Sequence, residues 1–403
     1  MTNVLQRKKL QEFLQSYFRT DATVGTLAST LVSKGTGFMS DVEVVSLKWN
    51  DAAYCRPLPS SVVTKTVSTT GVNELAAAVS CDSLSNDDGK SILERMVKLL
   101  HEAECRAYGI FRQLPTPPLP VPAIFGLNRK SPAMIVMEDL TKRGAILDDV
   151  LGISFEQWRS VVLHMARFHA WSLTTNVDWK SCMNENVIAK KFMIDSSNEF
   201  SKQNVRIMRE KYAEYFGDLD EKLLEKTTTW EAMSEHEEMY KKVMPEVMTH
   251  GDTWINNILF KIDPNAPDAI LDEVLAIIDW QTSSIGCGLT DLAHLAAWCV
   301  PVQLKRSRTF DILRIYYEEL QMNCGSILNG KLILDDVFRL YQHALAVQQV
   351  ILVPYFEMYK IFAKVDRDGT GQREKQVIEH IRYCYDDAAK YFEYRRKNVI
   401  HSL

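Results

Sequence analysis

The sequence predicts an α+β protein in two parts, a small strand-rich part over residues 1–138 and a large, mostly helical part over residues 139–403. Three observations predict it. Strand patterns with a two-residue period fall at 42–46 and 61–67, so alternate side chains take opposite faces of a sheet, and the continuous apolar run at 133–137 reads as a further, buried strand. From Ser154 onward apolar residues recur at three- and four-residue spacing instead, which is the helical pattern. At 403 residues the chain is long enough for two lobes, each with its own core.

Composition narrows the class. A hydrophobic fraction of 46% with 25% charged residues describes an ordinary globular chain. The formal net charge of -5 leaves no basic footprint, which argues against nucleic acid or an anionic membrane as the main partner. No apolar run approaches the ~20 residues that span a bilayer. The eight cysteines are scattered, with no CxxC pair and no clustering with histidine, which suits free thiols in a reducing cytosol; a cytoplasmic location is the expectation. The first residues, MTNVLQRKKLQEFLQSYF, place apolar side chains at helical spacing among charges and lack a signal-peptide core, so they predict a surface helix of the fold.

Taken in order, Leu31 to Leu47 reads LVSKGTGFMSDVEVVSL: Gly35 and Gly37 interrupt, and a strand resumes at Val42. Glycines between two strands let the backbone approach a phosphate with no Cβ in the way, although many hairpins also turn on glycine. Ser61 to Val67, SVVTKTV, places Val63, Lys65 and Val67 on one face of a strand. There Lys65 either meets phosphate oxygens or guards an edge against aggregation. The helix predicted from Ser91 to about Phe111 bears on that choice. Its apolar stripe of Leu93, Val97, Leu100, Ala107 and Phe111 includes Glu104, whereas Glu102 lines up with Lys98 and Arg106 on the polar face. An inward glutamate needs a cation, and Lys65 on the preceding strand is the one at hand. Pro115 to Pro122 forms a stiff connector, and the strand AMIVM then delivers Glu138, Asp139 and Leu140 to a polar segment. Backbone groups near Glu138 and Leu140 are candidates to pair with an adenine ring; their side chains otherwise face solvent in a turn.

The second part opens at Ser154, where Gln157 three residues later completes a capping box for a helix through Trp158, Val162, Met165, Phe168 and Trp171. His169 lies beside this stripe as a hydrogen-bonded core histidine. Residues 185–247 are charge-rich amphipathic helices whose glutamates read as solvated faces. Thr249 to Phe260, THGDTWINNILF, then places Asp252 two residues after His250 and Asn257 five after Asp252. This is the spacing of the catalytic loop in kinase-type phosphotransferases, in which the Asp takes the proton of an attacking hydroxyl and the Asn faces a magnesium ion. The apolar strand VLAII delivers Asp279, a carboxylate that a metal would compensate. A polar turn, PNAPDAILDE, is expected between the strands 258–262 and 274–278. Only 12 positions separate Asp279 from Asp291, too few for the activation loop and peptide platform of a protein kinase, so the acceptor expected is a small molecule. Asp291 is expected to bond the backbone of the catalytic loop, and the helices of 300–403 to build the acceptor side.

With KGTGFMSDV, SVVTK, HEAECRAY, MEDL, HGDTWINNILF and IIDWQ in that order, nearly the whole chain resembles the aminoglycoside phosphotransferase and choline kinase superfamily. Within it the chain looks like the CHK kinase-like group that includes the ecdysteroid kinases. The resemblance implies a protein-kinase-like bilobal fold and transfer of the γ-phosphate of ATP, with Mg2+, to a small-molecule hydroxyl. By match of position it implies Asp252 as base, Asn257 and Asp279 as magnesium ligands, and Lys65 as phosphate ligand with Glu104 as its partner. Gly35, Gly37, Val63, Glu138 and Leu140 complete the nucleotide set. Ser40 stands where the protein-kinase pattern has a third glycine. A nucleotide-binding pseudokinase and a choline or ethanolamine kinase are the alternatives.

Overall fold

The structure is a computed structural model that describes residues 4–32, 40–50, 57–68, 87–148, 150, 152–328, 330 and 332–398. It divides into two compact units, one formed by residues 1–117 and 121–143, the other by 118–120 and 144–403. Gly35 and Gly37 lie outside the described residues.

The first unit begins with helix α1 (Val4–Phe18), followed by strands β1 (Thr23–Leu31), β2 (Ser40–Asn50) and β3 (Ser61–Val67). Helix α2 (Asp87–Gln113), β4 (Ile124–Asn128) and β5 (Met134–Glu138) complete it. The strands form one antiparallel sheet in the order β1-β2-β3-β5-β4. Alternation along β3 decides what each face meets. Val62 joins Leu10 and Leu14 of α1 with Val45, Leu47, Phe125, Met134 and Val136 in a buried cluster, while Lys65, on the opposite face, meets Glu104 of α2. The N-terminal helix is therefore an integral layer of the core, tighter than a surface helix: a Cβ on Gly126 would stand 2.1 Å from the ring of Phe13. The first unit runs past Glu138 to Arg143 because Asp139 is tied back to the start of β3. Ser61 Oγ donates to Asp139 Oδ2 at 2.6 Å, and the N–H and hydroxyl of Thr141 donate to Oδ1.

The second unit carries a short β6 (Gly144–Ala145) and then helices α3 (Phe155–Thr174), α4 (Trp179–Ser196), α5 (Asn198–Lys211), α6 (Ala213–Phe216), α7 (Glu221–Thr228) and α8 (Trp230–Lys241). Strands β7 (Val247–Thr249), β8 (Ile258–Asp263), β9 (Ala266–Ile277) and β10 (Ser284–Gly286) come next. The unit closes with α9 (Gly288–Cys299), α10 (Val302–Leu328), α11 (Leu334–Ile351), α12 (Phe356–Phe362) and α13 (Gln372–Lys397). The capping box opens α3 as expected: Ser154 Oγ accepts from Gln157 N–H, and Gln157 Oε1 accepts from Ser154 N–H.

Two expectations are corrected by the fold. PNAPDAILDE is not a loop; β9 begins at Ala266, so the strand pair turns within two residues and most of that stretch is strand. Residues 266–273 are exposed or half-buried on both faces of the strand, so polar side chains there stay in water. Nor are all glutamates of 185–247 solvated. Glu237 is half-buried on α8 and accepts the N–H of Cys287 at 3.2 Å, and burial pushes its carboxyl above the ordinary value. Among the described residues no helix is long and apolar enough to cross a membrane, and six cysteines, Cys105, Cys182, Cys287, Cys299, Cys324 and Cys384, are free.

Candidate active site

In the second unit the loop between β7 and β8 is shaped by its own backbone. Gly251 has φ +82°, and a Cβ there would stand 2.5 Å from the carbonyl oxygen of Thr282, so only glycine fits. The Nδ1 of His250 accepts the N–H of Asp252 at 3.2 Å, which leaves Nε2 to carry the ring proton and donate to the carbonyl of Ile278 at 2.9 Å. The N–H groups of His250 and Gly251 donate to Asp291 Oδ2 and Oδ1, both at 2.8 Å. Asp291 is 1% exposed and stands at the start of α9. Its burial disfavours the charge, but the hydrogen bond and charge of His169 and the N–H of Gly251 outweigh that and hold the carboxyl below its ordinary value. His169 bridges Asp291 at 3.3 Å and the hydroxyl of Tyr316 at 3.0 Å, as a core histidine should.

Asp252 sits on this frame with its side chain 30% exposed. The amide nitrogen of Asn257 donates to both the carbonyl and Oδ2 of Asp252 at 2.9 Å, so its amide oxygen is the atom turned elsewhere. His294 Nε2 lies 3.4 Å from Asp252 Oδ1. Burial raises the Asp252 carboxyl, but His294 and the Asn257 bond prevail and hold it below its ordinary value. An ionised carboxylate is the form that can accept a proton. Asp279 comes after the end of β9 with φ 63° and ψ 64°, a left-handed conformation that aspartate tolerates better than most residues. The Ile278 N–H donates to the Asn257 carbonyl at 2.9 Å, and Ile258 pairs with Ile277, so Asn257 and Asp279 leave the same end of one strand pair.

The first unit joins the other predicted pair. Lys65 Nζ is 2.7 Å from Glu104 Oε2, with the two side chains 8% and 2% exposed. Glu102 pairs with Arg106 instead, at 3.6 Å. Val63 is half-buried on the face of Lys65, opposite Val44 on one neighbour and Met137 on the other. The N–H of Glu138 donates to Ala123, and its side chain takes the N–H of Ala123 and the guanidinium of Arg143. Leu140 is buried, and its carbonyl accepts from Arg143 N–H. The backbone groups engaged in these contacts are the Glu138 N–H and the Leu140 carbonyl.

Sequence reasoning missed His294. The signal was present: Asp291 and His294 are three apart on one helix, and a residue tied to the loop places its i+3 neighbour on the same face. Among the described residues no group of three or more His, Cys, Asp or Glu side chains is placed to hold a metal. One amide and one carboxylate fit magnesium all the same, since that ion keeps waters and takes oxygens from phosphates rather than an all-protein cage.

The model of the DUF1679 family, described as "uncharacterized oxidoreductase dhs-27", matches residues 2–396. The chain belongs to this family. A comparison with curated protein sequences finds no match. Among solved structures, the DUF1679 chain is similar to choline kinase from Cryptosporidium parvum Iowa II, with a TM-score of 0.50 at 13% identity over 99% of this chain and 96% of that one. It is also similar to a putative aminoglycoside phosphotransferase from Ralstonia eutropha JMP134, with a TM-score of 0.49 at 13% identity over 95% and 98%. The likeness to the choline kinase carries the fold: this family member has a protein-kinase-like bilobal architecture, strand-rich in its first unit and mostly helical in its second.

Proposed function

We propose that this chain is a magnesium- and nucleotide-dependent phosphotransferase of the CHK kinase-like, ecdysteroid kinase-like group, acting on the hydroxyl of a small molecule. One observation carries the reading: Asp252 is held ionised beside Asn257, and Asn257 is backbone-bonded next to Asp279. A fold that only bound nucleotide would have no use for a fixed base next to two metal ligands. In the step we propose, the acceptor oxygen attacks the γ-phosphorus of ATP, the bond to the β-phosphate oxygen breaks, ADP leaves, and the hydroxyl proton passes to Asp252. Magnesium, when bound through Asn257 and Asp279, neutralises the phosphate charge. Lys65, oriented by Glu104, binds phosphate oxygens, and Val63 with the backbone around Glu138 and Leu140 serves the adenine. Most of the acceleration comes from holding these groups in place before reaction.

The segment after Asp279 favours a small acceptor. A 3-10 turn at Trp280–Thr282, β10 and α9 succeed one another with no room for a peptide platform. A choline or ethanolamine acceptor would call for an aromatic cage. Trp280 is fully buried against His250 and Phe168, which removes it as a wall of such a cage. The name printed for the family raises a second reading, an oxidoreductase. Every strand pair among the described residues is antiparallel, whereas a dinucleotide fold is built on parallel βαβ units. The direct test incubates the protein with ATP, magnesium and a pool of sterols, amino alcohols and glycosides. Phosphorylated product from wild type and none from Asp252→Ala, with nucleotide binding retained, is expected; equal turnover by the variant would overturn the mechanism.

A further inference from the structure

We propose that His294 is the positioning residue of the base, fixing the carboxylate of Asp252 through Oδ1 while Gln348 and Trp298 fix the imidazole itself. The proposal rests on the phosphotransferase reading and extends it to a residue outside the loop and strand motifs.

The two oxygens of Asp252 are held by different elements. Oδ2 takes the amide of Asn257 from the start of β8 at 2.9 Å, and Oδ1 faces Nε2 of His294 on α9 at 3.4 Å. With both oxygens occupied from separate directions, the carboxylate plane cannot turn about its last torsion, a freedom that terminal carboxylates otherwise keep. Nε2 of His294 is a buried atom that makes no hydrogen bond among the described residues, and Asp252 Oδ1 at 3.4 Å is the carboxylate oxygen beside it. Separations of this kind tighten when a substrate completes the site.

The imidazole is itself held on two sides. Its Nδ1 faces Gln348 Oε1 of α11 at 3.1 Å. The Gln348 amide offers its NH2 in the same place when turned about its last torsion, so Nδ1 accepts there and Nε2 carries the ring proton on the side of Asp252. The ring also lies flat on Trp298, with centroids 5.3 Å apart and 14° between planes, and Trp298 packs against Trp254 and Tyr359. Trp254 belongs to the catalytic loop, so loop and helix are joined twice: by the Asp252–His294 contact and by the two tryptophans. Helix α9 starts at the loop's other anchor, Asp291, and the same helix thereby sets the loop backbone and the base side chain.

The test compares two substitutions that separate the donor from the stack, using the full chain with ATP, magnesium and the acceptor pool. His294→Phe keeps a flat ring on Trp298 and removes the donor. His294→Gln keeps an N–H that reaches Asp252 and gives up most of the stack. The expected result for His294→Phe is a fall in kcat on the order of 10²-fold with an unchanged KM for ATP, and for His294→Gln a recovery of about tenfold of that loss. A packing role alone would give the reverse order. Wild-type turnover in His294→Phe while Asp252→Ala is inert, or a rise in KM with kcat preserved, would overturn the positioning role and leave the phosphotransferase reading standing. A wild-type protein that turns over no ATP in any pool would defeat the phosphotransferase reading itself. The contact is then read without activity, from the nitrogen resonances of the His294 imidazole: a shift on Asp252→Asn supports it, and an unchanged spectrum overturns it.

Discussion

Asp291 carries more of the site than a residue outside the reaction would suggest. It satisfies two loop N–H groups and a buried histidine at once. Asp291→Ala would strand all three and is expected to cost about 3 kcal/mol or more, read as a lower midpoint in urea unfolding. The sign of its pH dependence comes from the depressed carboxyl. A carboxylate held below its ordinary value contributes stability that is present above the unfolded value and is lost as pH falls through the folded one. The wild-type protein should therefore lose stability on acidification below the ordinary aspartate range, and Asp291→Asn should flatten that limb. An equal acid dependence in wild type and Asp291→Asn would show that other carboxylates carry it. Lys65 and Glu104 illustrate a different residue-level lesson. Helical spacing alone separated the inward Glu104 from the outward Glu102, because a stripe is a property of local geometry. The partner of Asp252 could not be found that way, since His294 is brought to it by the packing of α9.

At the scale of elements, the strand pair β8–β9 and the loop before it behave as one part. The Ile278 N–H to Asn257 bond fixes the two proposed metal ligands side by side, and Gly251 lets the loop pass under Thr282. Gly251→Ala combines a left-handed φ with a 2.5 Å approach to a backbone oxygen, so strain of about 1–3 kcal/mol is expected. Thermal melting and the Asp252-dependent activity should fall together; a variant with native melting temperature and full turnover would show that the loop tolerates another path. The elements themselves were largely legible. The strand at 61–67, the capping box at Ser154 and the helix carrying Glu104 were each specified by neighbouring residues. The exception is instructive: PNAPDAILDE carries Pro, Asn and Asp and reads as a turn, yet pairing with β8 draws most of it into β9. Turn residues raise the local preference for a loop, and cross-strand hydrogen bonds override it where a partner strand is present.

For the whole molecule, the first unit holds a buried lysine–glutamate pair, and the second holds the proposed base with its two proposed metal ligands. If both serve one nucleotide, binding stabilises the folded chain by mass action. ATP with magnesium at about 100 times its dissociation constant should add about 2.7 kcal/mol, seen as a higher melting temperature. A nicotinamide dinucleotide at the same concentration should leave the melt unchanged. The opposite pattern would favour the oxidoreductase that the family's name suggests.

Local pattern by itself determined the division into a strand-rich and a helical part, the inward face of Glu104, and the spacing of Asp252, Asn257 and Asp279. Each of these arises from periodicity or from residues within one turn or strand, where the chain is its own context. Only the tertiary structure decided that α1 is a core layer, that Glu237 is half-buried and that His294 lies beside Asp252. Those contacts join positions far apart in the chain, and the free energy that selects them comes from packing whole helices together, which no short stretch of sequence encodes.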